Sequence, residues 1–178
     1  MRNLILIFVL VWVTAACQSN TKPDTPQAVP MQIASVDDVS VPIYDFDGLK
    51  PMLDISDDTL RIFNFWATWC VPCVKELPYF EEVNAEYASQ KVKVVLVSLD
   101  FIEDLETALI PFMKKHELGS QVLLLDDPDA NRWIPMVDPG WDGAIPVTLF
   151  RQGGQSSFIA HSVTYEELVN EMKNYIKR

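Results

Sequence analysis

Apolar and polar positions along the chain alternate between the periods of strands and helices. Leu60 to Trp66 is nearly all apolar, as a central strand covered on both faces should be. Val92 to Leu99 reads the same way, and Val122 to Leu125 is a third, shorter apolar run. Val39, Val41 and Ile43 alternate with polar neighbours, which predicts a short edge strand. Pro146 to Phe150 predicts a strand, Gly153-Gly154 a hairpin turn, and Ser156 to Ala160 the returning arm.

Between these runs the period is helical. Phe46 to Leu53 predicts a short helix ahead of the acidic loop Ser56-Asp57-Asp58. Val74, Leu77, Phe80, Val83 and Tyr87 mark an amphipathic helix, and Pro78 within it is expected to kink it. Ile102, Leu105, Leu109, Phe112 and His116 predict one face of another helix, ended by Gly119. Asp126 to Asp138 reads as a loop with a single helical turn around Trp133. Thr164-x-x-Glu167 is a capping box that opens a last helix, whose face is Tyr165, Leu168, Val169, Met172 and Ile176. Strands alternating with helices, closed by a hairpin and a helix, imply an α/β fold with a mixed sheet covered on both faces.

The ends of the pattern carry an address. Arg2 precedes Leu4 to Val13, an uncharged apolar run of ten residues. That is about half of the ~20 a membrane-spanning helix needs, so residues 1–16 read as a signal peptide. The run ends at Val13-Thr14-Ala15-Ala16-Cys17, which resembles a bacterial lipoprotein signal, with Thr14 where Leu is usual. Lipidation of Cys17 is the expectation, and ordinary cleavage leaving a free thiol is the alternative. Residues 17–35 are rich in Pro, Thr, Ser and Gln and read as a flexible tether, leaving 36–178 as the folded domain.

Composition narrows the function classes. At 178 residues and 49% hydrophobic, the chain holds one well-cored domain and hardly two. A net charge of −11 argues against nucleic acid and against docking on anionic lipid by a basic patch. Three cysteines, Cys17, Cys70 and Cys73, cannot build a dense disulfide scaffold, and a lipid on Cys17 accounts for the odd one.

Cys70 and Cys73 lie at i and i+3 where a strand runs into a helix. That spacing permits a disulfide, and the helix N-terminus favours a thiolate on Cys70. Cys73, one turn in, is the expected resolving thiol, and Pro72 suits the first helical turn. The alternative is half of a structural zinc site, for which the other candidate ligands are only His116 and His161, far apart in sequence, and Cys17, already assigned to the lipid.

Phe65-Trp66-Ala67-Thr68-Trp69-Cys70-Val71-Pro72-Cys73 resembles the active-site signature of thioredoxin-fold proteins. Extended from Asn64 through Glu76 and Pro78, it is similar to the TlpA/ResA branch of secreted, membrane-tethered thiol–disulfide oxidoreductases, over about Val36 to Arg178. The resemblance implies a three-layer α/β/α fold with an N-terminal extension and a helix–strand insert between about Asp100 and Leu125. It implies a cis bond at Ile145-Pro146 beside the cysteines, and Trp69, Pro72, Ile145 and Pro146 as contacts for protein substrates.

Thioredoxin itself has a buried Asp where this chain has Asn64. In the TlpA/ResA branch a Glu one turn after the second cysteine takes that role, and Glu76 matches it. A carboxylate at i+3 from Cys73 shares its helix face and could act as general base, the alternative being a solvated first-turn Glu. Val71 stands where thioredoxin has Gly, which leaves the redox potential open.

The resemblance further implies no cofactor, a periplasmic location on either membrane, and a membrane thiol transporter as electron donor. It implies reductant chemistry of the kind used on apocytochrome c cysteines. Disulfide donation in the reverse direction stays open. A Cu(I) chaperone on the two thiols is a further alternative. So is a peroxiredoxin, although its peroxidatic Cys follows a Thr by three residues and Thr68 is two before Cys70. Trp69 is expected to stay partly exposed for docking, or to pack in the core. Trp141-Asp142-Gly143-Ala144 reads as a second lip of the groove or as a packed loop. His116 and His161 are placed outside the site.

Overall fold

The computed structural model describes residues 27–176. The signal peptide, Cys17 and the first part of the expected tether lie outside the described residues. The elements are β1 (Gln32–Val36), β2 (Val39–Tyr44), α1 (Phe46–Leu53), β3 (Leu60–Trp66), α2 (Val71–Tyr87), β4 (Val92–Ser98), α3 (Ile110–Lys115), β5 (Gln121–Leu125), α4 (Ala130–Val137), β6 (Val147–Gln152), β7 (Gln155–Ile159) and α5 (Tyr165–Ile176).

The seven strands form one mixed sheet in the order β1-β2-β5-β4-β3-β6-β7. β3 is an interior strand, parallel to β4 and antiparallel to β6. Its side chains divide by parity, as the strand period requires. Leu60, Ile62 and Trp66 face a layer built from Leu77 and Phe80 of α2, Leu109 and Ile110 near α3, and Leu168 and Met172 of α5. Phe63 and Phe65 face Phe46 and Leu49 of α1 and Trp133 and Val137 of α4. This is the expected three-layer α/β/α arrangement.

Several boundaries differ from the sequence pattern. The sheet begins at Gln32, inside the segment expected to be tether, and β1 pairs antiparallel with β2 from Gln32↔Ile43 to Val36↔Val39. β2 is therefore not the edge strand. The helix expected over 102–116 is three pieces: a 3₁₀ turn at Ile102–Asp104, a π segment at Leu105–Leu109, and α3. Pro111, in the first turn of α3, brings no N–H to the ladder at the point where the π segment gives way to α3. The segment expected to hold one turn at Trp133 forms the two turns of α4, with Trp133 and Val137 buried at i, i+4. α2, by contrast, runs through Pro78 to Tyr87 as its apolar spacing predicts.

Other expectations match. Gly153 and Gly154, at φ 55° and 82°, make the hairpin between β6 and β7, a left-handed geometry that glycine adopts freely. Thr164 and Glu167 cap α5 reciprocally, Glu167 Oε2 accepting from Thr164 N–H at 2.8 Å and Thr164 Oγ1 from Glu167 N–H at 3.3 Å.

Phe80 is fully buried in the α2 layer. Phe80→Ala is expected to lower unfolding free energy by about 3–5 kcal/mol through lost burial and a residual cavity, measured by urea titration.

Candidate active site

β3 ends at Trp66, and the chain turns through Ala67-Thr68-Trp69 into α2. Asp100, at the end of β4, holds that turn. Its carboxylate oxygens each accept from Thr68 N–H at 3.1 Å, Thr68 Oγ1 donates at 2.5 Å, and Ser98 Oγ donates at 2.7 Å. Leu99 N–H donates to Trp66 O at 2.8 Å, keeping the two strand ends abreast. Asp100 is buried, and three donors, Thr68 N–H, Thr68 Oγ1 and Ser98 Oγ, offset the cost of enclosing a carboxyl group.

The clamp fixes Cys70 as the N-cap of α2, in extended backbone at φ −87° and ψ 98°. Cys70 Sγ accepts from Cys73 N–H at 3.4 Å, using one of the donors that every helix start leaves free. Cys70 and Cys73 are joined as a disulfide with Cα atoms 5.3 Å apart. Cys73 is wholly buried, Cys70 is 6% exposed, and the residues flanking Cys70 stand in solvent: Trp69 is 58% exposed and Val71 64%. Pro72 is also exposed.

The opposite wall comes from β6. In the antiparallel register Phe65 pairs with Val147, so the Ile145-Pro146 bond lies just beyond the last pair, and it is cis. Cys70 Sγ is 3.8 Å from Ile145 O. A disulfide sulfur has no proton to donate there, whereas the thiol of the reduced protein does. Ile145 is half-buried and Pro146 buried, so what Ile145 offers a partner at this edge is its carbonyl and part of its side chain. Trp141 is buried against Phe65, Trp133 and Phe158, and its Nε1–H donates to Ala144 O at 2.8 Å. Of the expected second lip, Trp141 is packed while Asp142 and Ala144 are exposed.

Beneath the disulfide lies a polar cluster in an otherwise apolar layer. Glu76, one turn after Cys73 on the same buried face, is 1% exposed. Its Oε1 accepts from Asn64 Nδ2 at 2.9 Å, and its Oε2 accepts from Ser162 Oγ and Val163 N–H, both at 2.7 Å. Asn64 Nδ2 also reaches Thr148 Oγ1 at 3.4 Å, its register partner on β6, while Asn64 Oδ1 is buried with no hydrogen-bond partner among the described residues. Burial pushes the Glu76 carboxyl above the usual range, opposed by the bonds from Ser162, Val163 and Asn64 and by the charge of nearby His161. Glu76 is therefore not a solvated first-turn residue.

The structure thus gathers Cys70, Cys73, Glu76, Trp69, Pro72, Ile145 and Pro146 into one region. His116 stacks on Phe112, with ring centroids 4.1 Å apart, outside that region. His161 is exposed, beside the turn that holds Glu76. The pattern reading missed Asp100, Thr148 and Ser162. Asp100 had a local signal, an acidic residue closing a strand whose neighbours are buried. Ser162 and Thr148 meet their partners across 86 and 84 positions, which leaves no local trace.

Comparison with known proteins gives a consistent picture. Residues 44–150 match the AhpC/TSA family. The thiol-disulfide oxidoreductase ResA of Oceanobacillus iheyensis is 37% identical over 112 residues, covering 57% of this chain and 53% of that protein. Sporulation thiol-disulfide oxidoreductase A of Bacillus subtilis is 30% identical over 122 residues, covering 68% and 66%. The chain thus spans roughly half to two thirds of the length of these curated relatives. Among solved structures, a thioredoxin family thiol:disulfide interchange protein from Chlorobium tepidum superposes with a TM-score of 0.57 at 21% identity, covering 85% of this chain and 97% of that one. A secreted disulfide oxidoreductase of Mycobacterium tuberculosis does so with a TM-score of 0.51 at 23% identity, covering 67% and 84%. The fold is thioredoxin-like.

The raised Glu76 carboxyl gives stability a pH dependence. Between the ordinary glutamate range and the raised native value, the folded protein holds a proton that the unfolded chain has lost. Stability therefore falls as pH rises through that window. Urea midpoints of the oxidised protein across acidic to neutral pH are expected to show this slope, and Glu76→Gln is expected to remove it.

Proposed function

The chain belongs to the AhpC/TSA family, and from that premise we propose that it is a protein thiol–disulfide oxidoreductase working outside the cytoplasm, held to a membrane by a lipid on Cys17. The observation that carries this reading is the Cys70–Cys73 disulfide at the start of α2, with exposed residues flanking Cys70 and the Ile145 carbonyl opposite its sulfur.

In the reducing direction, the Cys70 thiolate attacks a disulfide of the protein substrate, whose S–S bond breaks; one substrate sulfur leaves as a thiolate and the other stays joined to Cys70 in a mixed disulfide. The free N–H groups of the first turn and the helix dipole stabilise that thiolate. Glu76 takes the proton of Cys73, whose thiolate then attacks Cys70 Sγ and expels the second substrate sulfur as a thiolate. Trp69 and Val71 offer an apolar rim to the substrate segment, and Pro72 and Ile145 complete the contact surface around the sulfur. Thr68 gives its hydroxyl to Asp100, which favours thiol exchange over peroxidase chemistry that would draw on that threonine.

The signal-like segment and Cys17 support secretion and a membrane tether, and the relatives named as thiol-disulfide oxidoreductases support protein disulfides as substrates. A membrane thiol transporter would return electrons to the pair, and cysteines of apocytochrome c are the expected class of substrate. Among the described residues no helix is long and apolar enough to cross a membrane.

Cys73→Ser, expressed with its own leader, is expected to trap substrates on Cys70 as mixed disulfides that reductant releases. Absence of any such adduct, with the variant folded, overturns the assignment. Mass spectrometry of the mature N-terminus is expected to show a lipid-modified Cys17; an unmodified Cys17 removes the tether from the proposal.

A further inference from the structure

Glu76 Oε2 accepts two hydrogen bonds of 2.7 Å, from Ser162 Oγ and Val163 N–H, whereas Oε1 accepts only the 2.9 Å bond from Asn64 Nδ2. Both donors to Oε2 belong to the short connection between β7 and α5. That connection is itself fixed: Val163 is buried, His161 Nδ1 lies 3.0 Å from Ser162 O, and the Thr164–Glu167 capping box follows directly. Ser162 is an exposed residue, so packing does not require a hydroxyl at this position.

We propose that Ser162 is a positioning residue for the exchange reaction: its hydroxyl, beside the Val163 N–H, holds Glu76 in the ionised form that accepts the Cys73 proton. The proposal rests on the reading of Glu76 as the base. Two donors on Oε2 leave Oε1 as the oxygen with spare lone-pair capacity, so Oε1 takes the proton. The step is balanced as follows. The Cys73 S–H bond breaks and its proton goes to Oε1. The sulfur electron pair forms the bond to Cys70 Sγ, the bond between Cys70 and the substrate breaks, and the substrate sulfur leaves as a thiolate. The dithiol is oxidised and the substrate disulfide reduced.

The groups that bear on Glu76 are few. β3 contributes Asn64 and β6 contributes Thr148, both uncharged, and α2 contributes Cys73 on the same face. The turn contributes Ser162, the Val163 N–H and the charge of His161, while Glu167 of α5 bonds Thr164 rather than Glu76. Removing the Ser162 hydroxyl therefore takes away one of three donors that favour the ionised base and leaves the rest in place.

The test follows the two successive thiolate releases when the reduced full chain, carrying Cys17→Ser, meets excess dithiobis(nitrobenzoate). The first release reports attack by Cys70 and the second reports ring closure by Cys73. In Ser162→Ala the pH limb of the second release is expected to move up by about one pH unit, about tenfold in rate on that limb, and to rejoin the parent rate above it. Ser162→Thr is expected to keep the parent limb. A limb that does not move, or equal slowing at every pH, overturns the proposal. If Glu76→Gln also leaves the second release unchanged, the reading of Glu76 as base has failed. If Glu76→Gln slows the second release and Ser162→Ala leaves it unmoved, only the role of Ser162 has failed.

Discussion

Enclosing a carboxylate inside an apolar layer is unfavourable unless hydrogen-bond donors meet it there, and much of this fold is arranged to supply them to Glu76. One donor comes from β3, at a position whose parity faces the α2 layer. The other two come from the connection between β7 and α5. For all three to converge, β6 must pair with β3 in the observed register, the hairpin must return β7 alongside β6, and α5 must start where its capping box starts it. A one-residue slip of β6 would turn Thr148 to the opposite face and displace the connection that follows.

The same register serves the sulfur chemistry above. Pairing Phe65 with Val147 is what brings the Ile145 carbonyl to Cys70 Sγ. On the other flank, β4 lies parallel to β3 and ends level with it, so Asp100 can bind the Thr68 backbone and hydroxyl. The turn carrying Trp69 and Cys70 is thus held from β4 on one side and faced by β6 on the other. Exposed apolar side chains at Trp69 and Val71 oppose the general tendency of the fold to hide such groups, and both flank Cys70, where the proposed contact surface for a substrate lies.

What the sequence made legible was whatever is enforced locally. β3 was readable because a strand covered on both faces must be apolar throughout, and α5 because its cap is written in Thr164 and Glu167. The Cys-x-x-Cys spacing fixed the position of the thiols along the helix. The segment 102–116 misled because its apolar spacing suits one regular helix, whereas it winds as a 3₁₀ turn, a π segment and α3 in succession, a change of winding that the spacing does not record. β1 was hidden because an edge strand with exposed side chains needs no hydrophobic run, so Gln32–Val36 blended into the polar segment before it. Ser162 and Thr148 were invisible for a different reason. Their partners are chosen by strand register and helix packing, and neither leaves a spacing rule in the chain.

Placing the proposed base on the helix rather than on the strand changes what must be controlled. A carboxylate on β3 would be positioned relative to Cys73 by helix–sheet packing, and any shift of α2 over the sheet would alter their separation. Glu76 sits on the same helix as Cys73, three residues on, so one turn of hydrogen-bonded backbone sets that separation. The strand position is then free to act as a donor, and an amide suits it where a second carboxylate would repel the first. Asn64 fills that role from β3 and Ser162 from the far side. The spacing of Cys73 and Glu76 is carried by α2, and the hydrogen bonds that meet the Glu76 carboxylate come from the elements packed around it.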